Sequence, residues 1–275
     1  MPSLKRIIDF YIISNIHVAV AGFCISKITL LKYGIHNNLV PFFVGFSIIL
    51  SYNFIRFYEI KTNRMKWYRV WLNQNKKLLI TLQVFSICSI VFILFFRTFD
   101  LKSIATLFPF GLMTFFYVVP VFKLNNKEFS FRYFPGLKTY SIAIAWAGVS
   151  VLFPLSESNV IIDFNVVLEF IQRFLFVLVI TIPFDIRDMD SDAISLKTIP
   201  QVFGVSNTKK LGLVLLVIFV LISLYVNKYL IIDVLIATIS GLFLWFSTSD
   251  RSRYYTGFWV ESVPIIWLFL LLILN

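Results

Sequence analysis

Nine apolar runs, each close to the length that crosses a lipid bilayer, constrain this chain more than any other feature of its sequence. A spanning helix needs about 20 mostly apolar residues, and inside lipid only helices or closed barrels satisfy every backbone hydrogen bond. Charged residues make up 14 % of the chain, whereas soluble domains have about 25 %. The sequence therefore predicts an all-α membrane protein, a single domain over residues 1–275 formed by a bundle of about nine transmembrane helices. The runs cover 7–31, 39–60, 78–97, 101–121, 138–155, 164–185, 209–226, 229–248 and 255–274.

The distribution of Lys and Arg predicts how the chain is oriented. Most of the 25 Lys and Arg residues fall in loops on the amino-terminal side of a nine-helix register, and short cytoplasmic loops carry the excess of such residues. We therefore expect a multi-pass protein with a cytoplasmic amino terminus, located in a bacterial inner membrane. The net charge of +11 is spread over these loops, so membrane lipids are the expected partners and nucleic acid is not.

Four carboxylates follow the sixth apolar run directly, at Asp185, Asp188, Asp190 and Asp192. If the helix continues through this segment, Asp185, Asp188 and Asp192 fall at i, i+3 and i+7 and share one face. Like charges on one stripe repel unless a cation lies among them, and Mg²⁺ commonly bridges carboxylates and phosphate oxygens. The pattern indicates a magnesium and phosphate site, with a hydrated helix end as the alternative.

This acidic segment resembles the second aspartate-rich motif of the UbiA superfamily of intramembrane prenyltransferases. A stretch at the end of the fourth run is similar to that family's tyrosine-proline-lysine segment, and nine helices match its architecture, so the resemblance spans essentially the whole chain. The residues that carry it are Asp185, Arg187, Asp188, Asp192, Lys197, Thr198, Pro200 and Gly204, together with Tyr117, Pro120 and Lys123.

The resemblance implies a Mg²⁺-dependent enzyme that moves a prenyl group from a prenyl diphosphate to an aromatic or lipid acceptor. A metal ion and cations would stabilise the departing diphosphate, and some of the 32 Phe residues would shield the allylic cation from water. The expected metal ligands are Asp185, Asp188 and Asp192, and the expected catalytic residues are Asp188, Asp192 and Arg187. The expected substrate-binding residues are Asn53, Arg56, Glu59, Tyr117, Lys123, Lys138 and Lys197.

The chain departs from the family pattern at the end of the second run. In the family, an Asn there is followed by acids at the first, fourth and eighth positions, but aligning it with Asn53 places two phenylalanines and Lys61 at those positions. One hypothesis is that Arg56 and Lys61 touch the diphosphate directly, with Glu59 orienting them. The other is that the scaffold binds or transports an isoprenoid or lipid without catalysis. Charged residues are costly to keep in a membrane unless they have a use, so the hypothesis of an active enzyme is favoured.

Three further polar features carry expectations. Glu169 and Arg173 lie four apart in the sixth run, the spacing of an ion pair that lets both charges stay in a bundle. The polar patch 14–17 in the first run is expected to link helices by hydrogen bonds. Glu261, in the last run, is a candidate for contact with the acceptor.

Overall fold

Helices form nearly all of the regular structure in this computed structural model, which describes residues 2–61, 66–97, 99–124, 127–226 and 229–274. The α-helices are α1 (Pro2–Ile13), α2 (Ile16–Lys32), α3 (Leu39–Lys61), α4 (Lys66–Phe96), α5 (Leu101–Phe115), α6 (Lys138–Ala147), α7 (Phe153–Glu157), α8 (Phe164–Asp188), α9 (Ile199–Val226), α10 (Leu230–Trp245) and α11 (Val263–Leu274). A π-helical segment, Gly148–Leu152, joins α6 to α7, a second, Tyr255–Val260, precedes α11, and a 3₁₀ turn spans Ile194–Leu196. Strands β1 (Phe122–Leu124) and β2 (Lys127–Phe129) pair antiparallel, with Lys123 opposite Glu128.

Six helical stretches within the described ranges are long and apolar enough to cross a membrane, and the bent pair α1–α2 raises the number to seven. The expectation of an all-α, multi-pass membrane protein is thereby confirmed. Helices α5 and α10 have only 15 and 16 residues. At 1.5 Å per residue they are about 22 and 24 Å long, against a hydrocarbon core of about 30 Å. The fourth and eighth apolar runs thus correspond to helices shorter than a full span.

The helices of the structure differ from the predicted apolar runs at two breaks in the backbone. The first run is not one helix, because α1 and α2 meet at 57° around Asn15, whose φ of 69° is left-handed. Asn is one of the few residues besides Gly that adopts this conformation. Helix α9 breaks at Gly204, where φ 73° and ψ 159° define a conformation almost reserved for glycine. The third and seventh runs are also too short, since α4 begins at Lys66 and α9 at Ile199.

Helix α8 lies at the centre of the bundle. It packs against α6, α9 and α10, while α2 packs against α3 and α11. Phe176, Phe219 and Trp267 contact one another in the core between these helices. Helix α4 packs mainly on α3 and exposes most of its apolar side chains, as expected of a surface that faces lipid.

A cluster of buried charges joins α2, α8 and α10. Arg173 Nη2 lies 3.0 Å from Glu169 Oε1, which confirms the predicted ion pair. Lys32 Nζ lies 3.5 Å from the same Glu169 oxygen and 3.2 Å from Asp233 Oδ2, and the Arg173 guanidinium lies 4.7 Å from the Trp267 ring centroid. Among the described residues, two cations face two carboxylates here, and such pairing lowers the cost of keeping charges inside a bundle.

The polar patch 14–17 links helices as predicted. His17 Nδ1 lies 3.0 Å from the Tyr11 phenol oxygen, and its Nε2 lies 2.9 Å from the carbonyl oxygen of Phe258. Asn15 donates from Nδ2 to Asn53 Oδ1 at 3.1 Å. These bonds tie α1, α2 and α3 to the π-helical segment before α11.

Candidate functional site

Lys138, the first residue of α6, lies between two of the predicted acidic residues. Its Nζ is 3.0 Å from Asp185 Oδ1 and 2.6 Å from Asp192 Oδ2. The Thr139 hydroxyl donates to Asp185 Oδ2, so both oxygens of Asp185 have partners. The ammonium group therefore takes the position between these two carboxylates, while the predicted role of Lys138 in binding the substrate stays a prediction.

The stripe of three acids expected for a continuous helix does not form. Helix α8 ends at Asp188, and Asp192 returns to the site through a turn in which its backbone N–H donates to the carbonyl of Asp188 at 2.8 Å. The i+3 relation of Asp185 and Asp188 remains, while the i+7 position of Asp192 is wrong because the chain has left the helix. Asp190 is exposed, in line with its expected position off the shared face.

Arg187 engages Asp188 in a forked pair. Its Nε donates to Oδ1 at 2.7 Å and its Nη2 to Oδ2 at 2.9 Å, which is the strong bidentate arrangement of guanidinium and carboxylate. Nη1 donates to the hydroxyl of Thr256, in the π-helical segment before α11. The guanidinium also lies 5.4 Å from the ring centroid of Phe184. The pair thus connects the end of α8 to the last helix.

Glu59, buried on α3, faces two guanidinium groups. Arg132, from the loop after β2, brings its Nε within 2.7 Å of Oε1, and Arg56 Nη1 lies 4.0 Å from Oε2. Arg132 Nη1 also donates to the Tyr117 phenol oxygen at 3.3 Å, and the Tyr133 phenol donates to Glu59 Oε1 at 3.4 Å. The predicted approach of Glu59 and Arg56 is confirmed, but Arg132 is the closer partner.

Electrostatic interactions connect these two sets of contacts. Burial alone would lower the pKa of the Arg132 guanidinium, but Tyr117 and Glu59 outweigh it and raise this pKa above its usual value. Arg132 lies within electrostatic reach of Asp192, and Asp188 interacts with both Lys138 and Arg132. We call the first set the acidic wall (Asp185, Asp188, Asp192, Lys138 and Arg187) and the second the basic wall (Arg56, Glu59 and Arg132). Formal charges give the acidic wall a net negative charge and the basic wall a net positive one.

The three predicted magnesium ligands are paired with cations in this structure. Mg²⁺ takes oxygen ligands at about 2.0–2.1 Å in octahedral geometry. Here Lys138 lies between Asp185 and Asp192, and both oxygens of Asp188 accept from Arg187. Within the described ranges, no group of three or more His, Cys, Asp or Glu side chains is placed to hold a metal ion. A need for Mg²⁺ stays a prediction from the sequence, and this arrangement offers the ion no three-carboxylate site.

An apolar cavity of about 390 Å³ lies between α3, α5 and α6, within the range of about 300–1,000 Å³ that is usual for small-molecule pockets. Its lining includes Phe54, Phe110 and Trp146, and Trp146 Nε1 donates to the Tyr52 phenol oxygen at 3.0 Å. Arg56 follows Tyr52 by one turn of α3, which is about 6 Å along the helix axis. The cavity and the basic wall are therefore neighbours.

Four predicted substrate-binding residues are not members of these walls, and one of them, Tyr117, contacts Arg132 of the basic wall. Asn53 is buried, donates to the carbonyl of Ser14 at 3.3 Å and accepts from Asn15, so it supports the break between α1 and α2. Lys197 is exposed, with a left-handed φ of 47°. Lys123 lies in β1, and its side chain is outside the described part of the chain.

Sequence reasoning missed Arg132, Thr139 and Thr256 as members of the site. Arg187 and Thr256 are 69 positions apart, and no spacing rule relates residues at such separations. A weak signal exists for Arg132, which stands as a single cation between Phe131 and Tyr133. That pattern alone is too common to indicate a site.

No protein-family model, no curated protein and no solved structure matches this chain. The resemblance to the UbiA superfamily therefore rests on the residues quoted above.

Proposed function

We propose that this protein transfers a prenyl group from a prenyl diphosphate to an aromatic or lipid acceptor inside the membrane. The observation that carries the proposal is the apolar cavity beside the basic wall, whose Arg132 lies within electrostatic reach of Asp188 and Asp192 in the acidic wall. A prenyl diphosphate has the complementary form, because its anionic head is joined to a hydrocarbon tail. Binding sites of this kind combine an apolar lining with a few placed polar groups.

The cations support the bond-breaking step of this reaction. The allylic C–O bond breaks, the diphosphate leaves with the electron pair, and fixed positive groups lower the barrier because negative charge grows on the leaving oxygen. Arg187 is held by Asp188, and Lys138 by Asp185 and Asp192, so these carboxylates would orient the cations. No step is assigned to a metal ion, because the described side chains do not fit one.

The cavity supports the capture step. Aromatic ring faces stabilise a carbocation, and an apolar lining keeps water from intercepting it. The acceptor then forms the new C–C or C–heteroatom bond, and an aromatic acceptor must lose a proton to a base. Glu261 is our candidate for that base, since it lies within electrostatic reach of Arg56 and Arg187.

The proposal is tested by incubating purified protein with prenyl diphosphates of several lengths and with aromatic and lipid acceptors. Pyrophosphate release and a prenylated product are both expected. Asp188→Ala should abolish release because it removes the partner that orients Arg187. Asp190→Ala, an exposed neighbour on the same turn, is the matched control and should retain activity. Equal activity in the two variants would contradict the assigned role of Asp188.

A second candidate function is binding of an isoprenoid or lipid without turnover. It is favoured by one observation, that Lys138 and Arg187 are each already paired with carboxylates. In that case a prenyl diphosphate binds to the protein, but neither pyrophosphate nor a prenylated product is released with any acceptor in the panel.

We further propose a UbiA-like bundle of nine spans in a bacterial inner membrane, with the amino terminus and both walls on the cytoplasmic side. This requires the short helices α5 and α10 to cross with the bilayer thinned around them. Single cysteines at Asp190 and Ile161, both exposed, should react with a membrane-impermeant thiol reagent from opposite sides in a background lacking Cys24 and Cys88. Labelling of both from one side would contradict this topology.

A further inference from the structure

We propose that Arg56 and Arg132 form a diphosphate-binding surface that works without a divalent cation. The inference rests on the proposed function for the identity of the natural ligand, while the chemistry of the anion follows from the two guanidinium groups. It departs from what the UbiA resemblance implies, which is a diphosphate held through Mg²⁺ by two acidic motifs.

Two guanidinium groups share one buried carboxylate at this surface. Glu59 is 2 % exposed, while Arg56 and Arg132 are 32 % and 23 % exposed. The formal charges of these three side chains sum to +1, and the two guanidinium groups, unlike the carboxylate, are partly exposed. An anion that binds there meets charges that are still partly hydrated, which avoids most of the desolvation cost of a fully buried pair.

Arg132 is held in position before any ligand binds. Its Nε faces Glu59, its Nη1 donates to the Tyr117 phenol oxygen, and its guanidinium lies 5.6 and 5.9 Å from the ring centroids of Tyr117 and Tyr133. Its Nη2 makes no hydrogen bond with any residue that the structure describes. A planar guanidinium with an open edge suits forked contact with phosphate oxygens, and its fixed position reduces the entropy lost on binding.

The ion pairs of the acidic wall explain why the proposed surface needs no metal ion. Lys138 and Arg187 already compensate the acidic residues of α8, so a divalent ion would have to displace Lys138 to reach Asp185 and Asp192. At the end of α3, where the UbiA pattern has acids, the chain instead presents Arg56, with its guanidinium 5.7 Å from the Tyr68 ring centroid. Arg56 lies between the two phenylalanines that occupy acid positions of the metal-dependent pattern.

The test measures binding of inorganic pyrophosphate to the purified full chain by calorimetry, once with EDTA and once with Mg²⁺. The two dissociation constants are expected to agree within about threefold. Arg132→Gln and Arg56→Gln should each weaken binding about 10- to 100-fold, as expected for the loss of one charge-assisted contact. Arg132→Lys should give an intermediate loss, because it keeps the charge but not the fork. Lys77→Gln, an exposed cation on α4, is the control and should leave binding unchanged.

Folding has to be separated from binding in the Arg132 variant, which leaves buried Glu59 without its closest partner. The double variant Arg132→Gln/Glu59→Gln removes both charges, and we expect it to retain its melting temperature while losing pyrophosphate affinity. If both variants fail to fold, the comparison of EDTA with Mg²⁺ on the unchanged chain decides the question.

The outcomes distinguish this inference from the proposed function. Binding that disappears in EDTA and returns with Mg²⁺ overturns the inference, while prenyl transfer stays possible. Binding that is insensitive to EDTA, with no prenylated product from any donor, supports the inference and removes the proposed function. A third arm compares nanodiscs of phosphatidylglycerol with nanodiscs of phosphatidylcholine. If the anionic lipid alone displaces pyrophosphate, the surface binds lipid headgroups and the inference is wrong.

Discussion

Replacing Lys138 by methionine should destabilise the folded chain and create a site for a divalent cation. The methionine fills a similar volume but carries no charge, so Asp185 and Asp192 lose the ammonium group that lies between them. Two carboxylates would then face each other in a largely buried space. The variant therefore tests whether Lys138 is a built-in counter-ion.

The magnitude follows from the burial of the three side chains. Lys138 is 10 % exposed, Asp185 is 3 % exposed and Asp192 is 17 % exposed. Removing one partner of a buried pair costs about 3–5 kcal/mol. Water reaches part of Asp192, and Asp185 keeps its bond from Thr139, so we expect a value near the lower end, about 3 kcal/mol.

The assay is reversible unfolding in mixed micelles, followed by helical circular dichroism. Addition of Mg²⁺ should raise the melting temperature of Lys138→Met, because an ion that binds only the folded state stabilises it by about 2.7 kcal/mol at one hundred times its dissociation constant. The unchanged chain should not respond in this way, since its ammonium group fills the space. The double variant Lys138→Met/Asp185→Asn should recover most of the lost stability and lose the response to Mg²⁺.

Two results would refute this reasoning. A destabilisation below about 1 kcal/mol would mean that Lys138 does not offset the free-energy cost of burying the two carboxylates. Equal stabilisation of the unchanged chain and of Lys138→Met by Mg²⁺ would mean that the ion binds elsewhere or displaces the lysine freely.

Four other substitutions, one of them a control, test the fold and the cavity. Arg173→Met should lower the free energy of unfolding by about 3 kcal/mol in the same assay, since it leaves a buried carboxylate of the α2–α8–α10 cluster with too little positive charge; no measurable loss would contradict the cluster. Gly204→Ala should cost about 1–3 kcal/mol because of its positive φ, although no atom lies within 4 Å of the added Cβ. Gly111→Ala, helical and equally open, should instead gain up to about 1 kcal/mol, and equal effects of the two changes would refute the backbone argument. Gly148→Ala would make the added Cβ overlap with the Phe110 ring, so the ring should shift and, under the proposed function, change the longest prenyl diphosphate that binds; an unchanged length preference would show that Phe110 does not bound the cavity.

Hydropathy predicted the helices well because each helix that faces lipid must be apolar over most of its length. It could not predict the turn at Asn15, because hydropathy carries no information about the sign of φ. It also could not place the ends of α4 and α9, where polar residues continue the helix beyond the apolar run. Helix length in this bundle is therefore set partly by packing and not by the membrane alone.

The site was predictable only where its residues are close in sequence or match a motif. The acids of α8 and the pairing of Arg56 with Glu59 follow from helical spacing. Arg132 reaches Glu59 from a loop that no periodicity describes, and the position of Lys138 between two carboxylates depends on how α6 packs against α8. Such contacts are set by the tertiary fold, so a sequence can name the charges but not which of them pair.

The two charged clusters of this bundle differ in how much of their charged side chains is exposed. This difference distinguishes a cluster that stabilises the fold from one that can bind a ligand. Around Arg173, each side chain of the ion pairs that the structure describes is 4 % exposed or less. Around Arg132, the carboxylate is buried but both guanidinium groups keep 23–32 % of their side-chain surface. A closed cluster leaves no surface for a ligand, whereas the exposed guanidinium groups of the second cluster do. Since charges in a membrane bundle are costly to keep, this exposed surface is what the proposed binding of an anion would use.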